Sequence, residues 1–83
     1  MADVQIYTTN YCPYCRMAKQ LLASKGLAFE EVDVTSYDVK RQWLVQTTGY
    51  KTVPQIFIKG KSIGGYDNLK ALNDAGKLDP MLC

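Results

Sequence analysis

The chain has 83 residues, which suits one domain and leaves no room for a second, so we expect residues 1–83 to form a single domain. An apolar share of 47% can build a compact core, and a net charge of +2 from interspersed acids and bases gives no sign of a nucleic-acid or membrane partner. Asp3 and Gln5 interrupt any N-terminal apolar run, so we expect no export signal and a reducing, cytoplasmic setting.

The first part of the chain predicts a strand, a helix and a second strand. Residues 3–8 form the first strand, and a helix from about Pro13 to Lys25 ends at Gly26, which suits a left-handed cap. Residues 29–34 predict the second strand, in which Val32 and Val34 alternate with Glu31 and Asp33. Because a helix connects them, the two strands should be parallel with a right-handed crossover.

Cys12 and Cys15 bracket the start of that helix, and their spacing indicates a redox pair. Cys12 precedes the first turn, where Pro13 fits the first helical position. The free N–H groups of that turn and the positive end of the helix dipole favour a thiolate, which is the nucleophile. Cys15 shares the inward face with Ala18 and Leu22, so we predict a shielded, protonated thiol that acts second, as the resolving sulfur.

Structural explanations of the cysteine pair are weaker. A zinc site wants four Cys or His ligands, whereas the chain has three Cys and no His, so we expect no metal. A permanent disulfide across a two-residue gap would restrict the unfolded chain little. The third cysteine, Cys83, is predicted to be an ordinary exposed thiol, with a regulatory or dimerising thiol as the alternative.

The remaining elements are two helices and two strands. Ser36 should cap a second helix that ends at Gly49, and its inward residues are predicted to be Val39, Trp43 and Leu44, with packing as the role of Trp43. Residues 55–58 predict a third strand, and a turn leads to a short antiparallel fourth strand at 61–63. Asp67 is a natural cap for a third helix that runs to about residue 75, and the tail from residue 77 should be partly loose.

The strand directions decide which residues meet. If the third strand runs antiparallel to the first, it begins at the Cys12 end of the sheet, and Val53 and Pro54 then lie beside Cys12. The fourth strand would finish at that same end and deliver residues 65–67 with another helix N-terminus. Three separated segments would therefore converge on one cysteine.

Three motifs closely resemble the signatures of dithiol glutaredoxins: Cys-Pro-Tyr-Cys at 12–15, Thr-Val-Pro at 52–54 and Gly-Gly-Tyr-Asp at 64–67. Their order, their spacing and the chain length agree, and the resemblance covers nearly everything from Val4 to Leu82. It implies an α/β, thioredoxin-like fold with a four-stranded mixed sheet flanked by three helices, the third strand being antiparallel. It also implies a cis peptide bond before Pro54, which leaves the Val53 backbone free to pair with a ligand.

The resemblance implies that glutathione is the co-substrate. The main chain of its cysteine would pair with Val53, beside Pro54, like an added strand, and Tyr14 and Thr52 would line the groove. The γ-glutamyl end would be held by Gly65, Tyr66 and Asp67. The carboxylate of Asp67 can pair with the ligand's ammonium while helix N–H groups receive its carboxylate. A plain helix cap is the alternative role of Asp67, and both roles can hold together.

One position departs from the family pattern. Glutaredoxins commonly carry a lysine three residues before the first cysteine, where it meets the glycine carboxylate of glutathione, and this chain has Thr9 there. Arg41 matches a position where family members place another carboxylate contact. We therefore expect Arg41 to hold the glycine carboxylate, assisted by Lys51 or Arg16, with a solvated surface charge as the alternative role of Arg41.

The implied function is that of a glutathione-dependent thiol–disulfide oxidoreductase. Cys12 alone would reduce protein–glutathione mixed disulfides, and Cys12 with Cys15 would reduce protein disulfides. Family potentials near about −200 to −230 mV would make the pair reducible by the glutathione pool. The expected partners are glutathione and glutathionylated or disulfide-bonded proteins, and we expect a monomer without nucleic-acid or membrane partners.

Three other functions compete with this one. A thioredoxin-reductase-dependent redoxin of the same fold is disfavoured by Tyr66 and Asp67. An iron–sulfur carrier, in which two chains bridge a cluster through Cys12 and two glutathiones, is disfavoured by Pro13. An intact cysteine pair argues against a redox-inert interaction domain.

Overall fold

The computed structural model describes residues 3–36, 38–50 and 52–82. Its elements in chain order are β1 (Val4–Thr8), α1 (Pro13–Ser24), β2 (Phe29–Asp33), α2 (Asp38–Thr48), β3 (Gln55–Ile58), β4 (Lys61–Gly64), α3 (Tyr66–Asp74) and α4 (Leu78–Leu82). The strands form one sheet in the order β2-β1-β3-β4. Strand β2 is parallel to β1, and β3 is antiparallel to both β1 and β4. The predicted mixed sheet with its antiparallel third strand is confirmed.

The two faces of the sheet bury different side chains, because successive residues of a strand point to opposite faces. The face covered by α1 and α3 has a buried hydrophobic cluster of aliphatic residues, and we call it the aliphatic face: Val4, Ile6, Ala18, Leu22, Ile56, Ile58, Leu69 and Leu78. The other face is covered by α2, and we call it the aromatic face: Tyr7, Val34, Leu44 and Phe57. Each face thus follows from the alternation within β1 and β3.

Two glycines end helices as the sequence predicts. Gly26 follows α1 with a φ of 70°, and Gly49 follows α2 with a φ of 79°. This left-handed region is strained for residues that carry a Cβ and free for glycine. The predicted ends of α1 and α2 are therefore confirmed, whereas the capping of α2 by Ser36 stays a prediction because residue 37 lies outside the described residues.

The predicted inward face of α2 was partly wrong. Val39 is 74% exposed, while Leu44 is buried. The two residues are five positions apart, which corresponds to about 140° around a helix, so both cannot face the sheet. Trp43 lies at the edge of the interface, and its ring contacts those of Tyr7 and Phe57 at centroid distances of 5.7 and 6.0 Å. The packing role predicted for Trp43 is confirmed.

Two predictions near the C-terminus were also wrong. The N-cap of α3 is Gly65, and Asp67 lies within the first turn instead of capping the helix. The tail from residue 77, predicted to be partly loose, contains α4, so the helices number at least four in the described part of the chain and not three. Leu78 is fully buried on the aliphatic face, and this burial anchors the short helix. Within the described ranges no helix is long and apolar enough to cross a membrane.

Candidate active site

Cys12 is the N-cap residue of α1, and Pro13 is the first residue of that helix. The backbone of Cys12 is extended, with φ −100° and ψ 112°. Its sulfur accepts a hydrogen bond from the backbone N–H of Cys15 at 3.3 Å. N–H groups in the first turn have no partner within the helix, and they stabilise a negative charge that lies close to them. The local structure therefore suits a nucleophilic sulfur at Cys12.

Cys15 has the opposite environment. It is 1% exposed, whereas Cys12 is half-buried, so the predicted shielding of Cys15 is confirmed. Burial raises the pKa of the Cys15 thiol to about 12, and a hydrogen bond with Cys12 acts in the same direction. A hydrogen bond from the Thr9 backbone and the charge of Lys19 act against this rise. At neutral pH Cys15 is accordingly a protonated thiol.

The loop before β3 lies against Cys12. The peptide bond between Val53 and Pro54 is cis, as predicted. The thiol of Cys12 donates to the Val53 carbonyl oxygen at 3.5 Å, so Val53 lies beside Cys12 as the strand directions suggested. The side chain of Gln55 fixes the loop from behind, donating to the Tyr50 carbonyl at 2.8 Å and to the Thr52 carbonyl at 3.0 Å.

The corner between β4 and α3 packs against the same loop. Gly65 allows this close approach, and Gly64 allows the chain to turn within the corner. Gly64 has a φ of 103°, and a Cβ there would lie 2.7 Å from the side-chain carbon Cγ of Asn68. A Cβ on Gly65 would lie 3.3 Å from the Pro54 carbonyl oxygen. Asn68 accepts a hydrogen bond from the Gly65 N–H at 3.4 Å and fixes the corner. The N-terminus of α3 is thereby held next to the cis-proline loop.

A groove of about 490 Å³ lies between these segments. Seven of the eight residues predicted to bind glutathione line it: Tyr14, Thr52, Val53, Pro54, Gly65, Tyr66 and Asp67. The rings of Tyr14 and Tyr66 face each other across a centroid distance of 6.2 Å. The sequence analysis missed Tyr50 and Asn68, which also line the groove. The sequence did contain signals for both residues. Tyr50 is an aromatic residue shortly before the Thr-Val-Pro motif, and Asn68 is the third residue of a helix that follows two glycines.

Arg41, the eighth residue, lies in a neighbouring groove of about 360 Å³. This second groove shares Tyr50, Val53 and Gln55 with the first. The guanidinium of Arg41 donates to the Tyr11 hydroxyl at 3.4 Å. Arg41 is therefore next to the main groove without lining it.

The other residues considered for the glycine end differ in their surroundings. Thr9 is buried, and its hydroxyl has no hydrogen-bond partner among the described residues. Arg16 is exposed on α1, and Lys51 and Cys83 lie outside the described residues. In the part of the chain that the structure describes, no group of three or more His, Cys, Asp or Glu side chains could hold a metal ion.

Comparison with known proteins relates this site to one family. The sequence profile of the family named glutaredoxin matches residues 4–63. The chain is 50% identical over 82 residues to glutaredoxin 3 of Escherichia coli strain K12, covering 99% of both chains. The solved buckwheat glutaredoxin–glutathione complex matches with a TM-score of 0.93 and 34% identity, over 98% of this chain and 76% of that one. The glutaredoxin of Brucella melitensis matches with a TM-score of 0.87 and 49% identity, over 99% and 89%.

Proposed function

The chain belongs to the glutaredoxin family, and we propose that within this family of thiol–disulfide oxidoreductases it is a glutathione-dependent enzyme in which Cys12 attacks and Cys15 resolves. The observation that carries the proposal is the position of the Cys12 sulfur. It lies at the first turn of α1, 3.3 Å from the Cys15 backbone nitrogen and 3.5 Å from the Val53 carbonyl oxygen. The Cys12 sulfur thus contacts the N–H groups of a helix N-terminus on one side and Val53, which lines a peptide-sized groove, on the other.

The first reaction uses Cys12 alone. Its thiolate attacks the glutathione sulfur of a protein–glutathione disulfide, the S–S bond breaks, and the protein leaves as a thiolate that takes a proton from water. A free glutathione thiolate then attacks the glutathione held on Cys12. Glutathione disulfide forms and the Cys12 thiolate returns. One disulfide is consumed and one is formed, so the electrons balance.

The second reaction needs both cysteines. Cys12 attacks a protein disulfide and becomes joined to one of its sulfurs, while the other sulfur leaves as a thiolate. Cys15 then loses its proton to solvent and attacks the Cys12 sulfur, which releases the reduced protein and leaves the Cys12–Cys15 disulfide. Two glutathione molecules return the pair to its dithiol form. The burial of Cys15 supports this order, because outside disulfides reach Cys12 first.

The groove supports glutathione as the electron donor. In the buckwheat relative the solved structure is a glutathione complex. In this chain we propose that the ligand's main chain lies along Val53, between Tyr14 and Thr52. Its γ-glutamyl carboxylate would meet the N–H groups of the first turn of α3, behind Gly65 and Tyr66, and its ammonium would meet Asp67. Asp67 is exposed in that turn and free of the capping role, since Gly65 is the N-cap.

The glycine end of glutathione is assigned to Arg41. The two grooves share Tyr50, Val53 and Gln55, so a peptide that follows Val53 out of the first groove enters the second, where Arg41 lies. Arg16 and Lys51 are the other candidates for this carboxylate. We further propose that the enzyme acts as a monomer in the reducing cytoplasm, where the glutathione pool can keep the pair reduced.

A coupled assay with two electron sources tests the proposal. The substrate is a mixed disulfide between glutathione and a small thiol, and the donor is either glutathione with its reductase or thioredoxin reductase with NADPH. We expect turnover with glutathione and none above background with thioredoxin reductase, and Cys12→Ser should reduce the glutathione-driven rate to background. Turnover driven by thioredoxin reductase instead would identify a redoxin of the competing kind.

A further inference from the structure

A polar cluster lies behind the cysteine pair, near the end of β1, and the first reaction of Cys12 does not use it. The hydroxyl of Thr8 donates to Glu31 Oε2 at 2.7 Å, and the ammonium of Lys19 donates to the same oxygen at 2.9 Å. Thr8 is buried, while the Lys19 and Glu31 side chains are 32% and 36% exposed. One carboxylate oxygen therefore ties α1 to two neighbouring strands.

The register of the sheet explains why these residues meet. Ile6 of β1 pairs with Glu31 of β2, and Thr8 is two residues beyond Ile6, so all three point to the aliphatic face that α1 covers. On α1, Lys19 lies one turn after Cys15 and shares its side of the helix. The ion pair with Glu31 thus keeps the ammonium of Lys19 near the helix turn that carries Cys15. Through Thr8, the same carboxylate is also bound to the end of β1.

The same end of β1 also acts on the buried sulfur. The backbone of Thr9, the residue after Thr8, acts to lower the pKa of the Cys15 thiol. The titratable groups around that sulfur are Cys12 and Lys19 from α1 and, one contact further out, Glu31 from β2. Burial and Cys12 raise the pKa of Cys15, and Lys19 is the positive charge that lowers it. Glu31, whose own pKa is lowered first by Lys19 and then by Thr8, is ionised at neutral pH and offsets part of that charge.

We propose that Lys19 is a positioning residue for the second reaction: its ammonium, one helix turn from Cys15 and partly offset by Glu31, stabilises the negative charge on the Cys15 sulfur at the moment when Cys15 must attack. The inference rests on the proposed function, in which Cys15 is the resolving sulfur. In that step the Cys15 proton passes to solvent, a bond forms between the Cys15 and Cys12 sulfurs, and the bond from Cys12 to the substrate sulfur breaks. Lys19 exchanges no proton and touches no substrate, so it acts only through the charge it places near Cys15.

Stopped-flow absorbance with an aromatic disulfide, dithiobis-nitrobenzoate, separates the two steps. The protein is the full chain with Cys83→Ser, so that two sulfurs respond. Attack by Cys12 releases the first coloured thiolate at a rate proportional to reagent concentration. Attack by Cys15 on the mixed disulfide releases the second at a rate that does not depend on that concentration. The second rate constant reports the ionisation and attack of Cys15 directly.

Two substitutions break the same ion pair with opposite changes of charge. Lys19→Met should slow the second phase by up to about threefold, because the loss of Cys15 thiolate is partly offset by the greater nucleophilicity of a more basic sulfur. Glu31→Gln should accelerate the second phase by up to about the same factor, because it frees the charge of Lys19. Lys19→Arg should restore the parent rate. The matched control is Lys70→Met, which removes the same charge from the ion pair of Lys70 with Asp74 at 3.0 Å on α3 and should leave both phases unchanged.

The outcomes separate the inference from the proposed function. The first phase should be the same in the parent and in all four variants, and the second should respond in opposite directions to Lys19→Met and Glu31→Gln. A second phase that slows in both variants would indicate a structural contact, and one that ignores both would remove Lys19 from the step; either result overturns the inference alone. A parent protein without the fast first phase would overturn the proposed function together with the inference.

Discussion

The two faces of the sheet differ in how completely they are closed. On the aliphatic face, Leu22 of α1 and Leu69 of α3 are fully buried against strand residues such as Ile6 and Ile56. On the aromatic face, α2 buries Leu44, but Trp43 remains 38% exposed, with the Lys40 ammonium 4.1 Å from its ring centroid. One face is sealed by aliphatic packing, and the other is closed partly by rings that still meet solvent.

Because of this difference, residues that react and residues that bind the ligand are supported by different faces of the sheet. Cys15 lies on α1, the helix that the aliphatic face holds in place, so close packing there fixes the geometry between the two sulfurs. Arg41 lies on α2, the helix that covers the aromatic face, and it lines the second groove. Changes on the aliphatic face should therefore cost stability, whereas changes at Arg41 should alter ligand affinity and leave the fold intact.

Matched leucine truncations give the largest expected effect on stability. Leu22→Ala should lower the free energy of unfolding by about 4 kcal/mol, and Leu44→Ala by about 2 kcal/mol, because the cavity at Leu22 is enclosed while the surroundings of Leu44 can relax into partly open space. Urea denaturation measures both, with Val39→Ala as a control that should change stability by less than about 0.5 kcal/mol. Equal costs for the two leucines would contradict the difference between the faces.

Arg41→Ala should have a smaller effect, confined to recognition. Losing a partly exposed contact with a carboxylate is worth about 0.5–1 kcal/mol, which corresponds to a few-fold increase in the KM for glutathione. The kcat should change little, because the contact is lost equally in the ground state and the transition state. The increase should shrink as salt rises, as for any exposed charge pair.

Steady-state measurements of the KM for glutathione at low salt test whether Arg41 binds the ligand. The matched control is Lys70→Ala, which removes an exposed positive charge from α3 outside the grooves. An unchanged KM in Arg41→Ala would exclude Arg41 from the site and leave Arg16 or Lys51 as the cation for the glycine carboxylate.

Glu31→Gln should have a small effect on stability, and the effect depends on pH. The hydrogen bond from Lys19 and then that from Thr8 lower the pKa of Glu31 from its ordinary value of 4.5. A lowered pKa in the folded state stabilises the protein above the unfolded value, and this contribution disappears as the pH falls through the folded value. At pH 7 the substitution should therefore cost less than about 1 kcal/mol, because the pair is partly exposed.

Denaturation curves of Glu31→Gln and its parent, recorded between neutral and acidic pH, measure this contribution. The difference in the free energy of unfolding should shrink as the pH falls below 4.5 and through the lowered pKa of Glu31, because the carboxyl group of the parent then also becomes neutral. A difference that persists unchanged in acid would show that the glutamine variant has lost packing and not charge.

The sequence predicted most elements because apolar runs and helix-ending glycines are local signals. The third strand was predicted at residues 55–58, where β3 lies. Its antiparallel direction rested on the family resemblance, because side-chain periodicity is the same for both directions. The inward face of α2 was misplaced because Val39 and Trp43, four residues apart, make one plausible stripe. The structure instead buries Leu44 in the aromatic-face cluster, and the sequence pattern does not show which side of the helix meets the sheet.

The candidate site was predictable where a motif carries it. Residues 12–15, 52–54 and 64–67 were found as motifs, and the structure brings the three segments together. The ion pair of Lys19 with Glu31 was not foreseen, because it depends on the register that aligns Glu31 with Ile6. The helix at residues 78–82 was missed for a different reason, since it is only five residues long and contains Pro80, which favours a loop.

The most direct test of the account measures two activities in two variants: reduction of a glutathione mixed disulfide and reduction of a protein disulfide. Cys12→Ser should lose both activities, because it removes the sulfur at the N-terminus of α1. Cys15→Ser should keep the first activity and lose most of the second, because only the second needs a resolving thiol. Equal loss of both activities in Cys15→Ser would contradict the division of roles between the exposed and the buried cysteine.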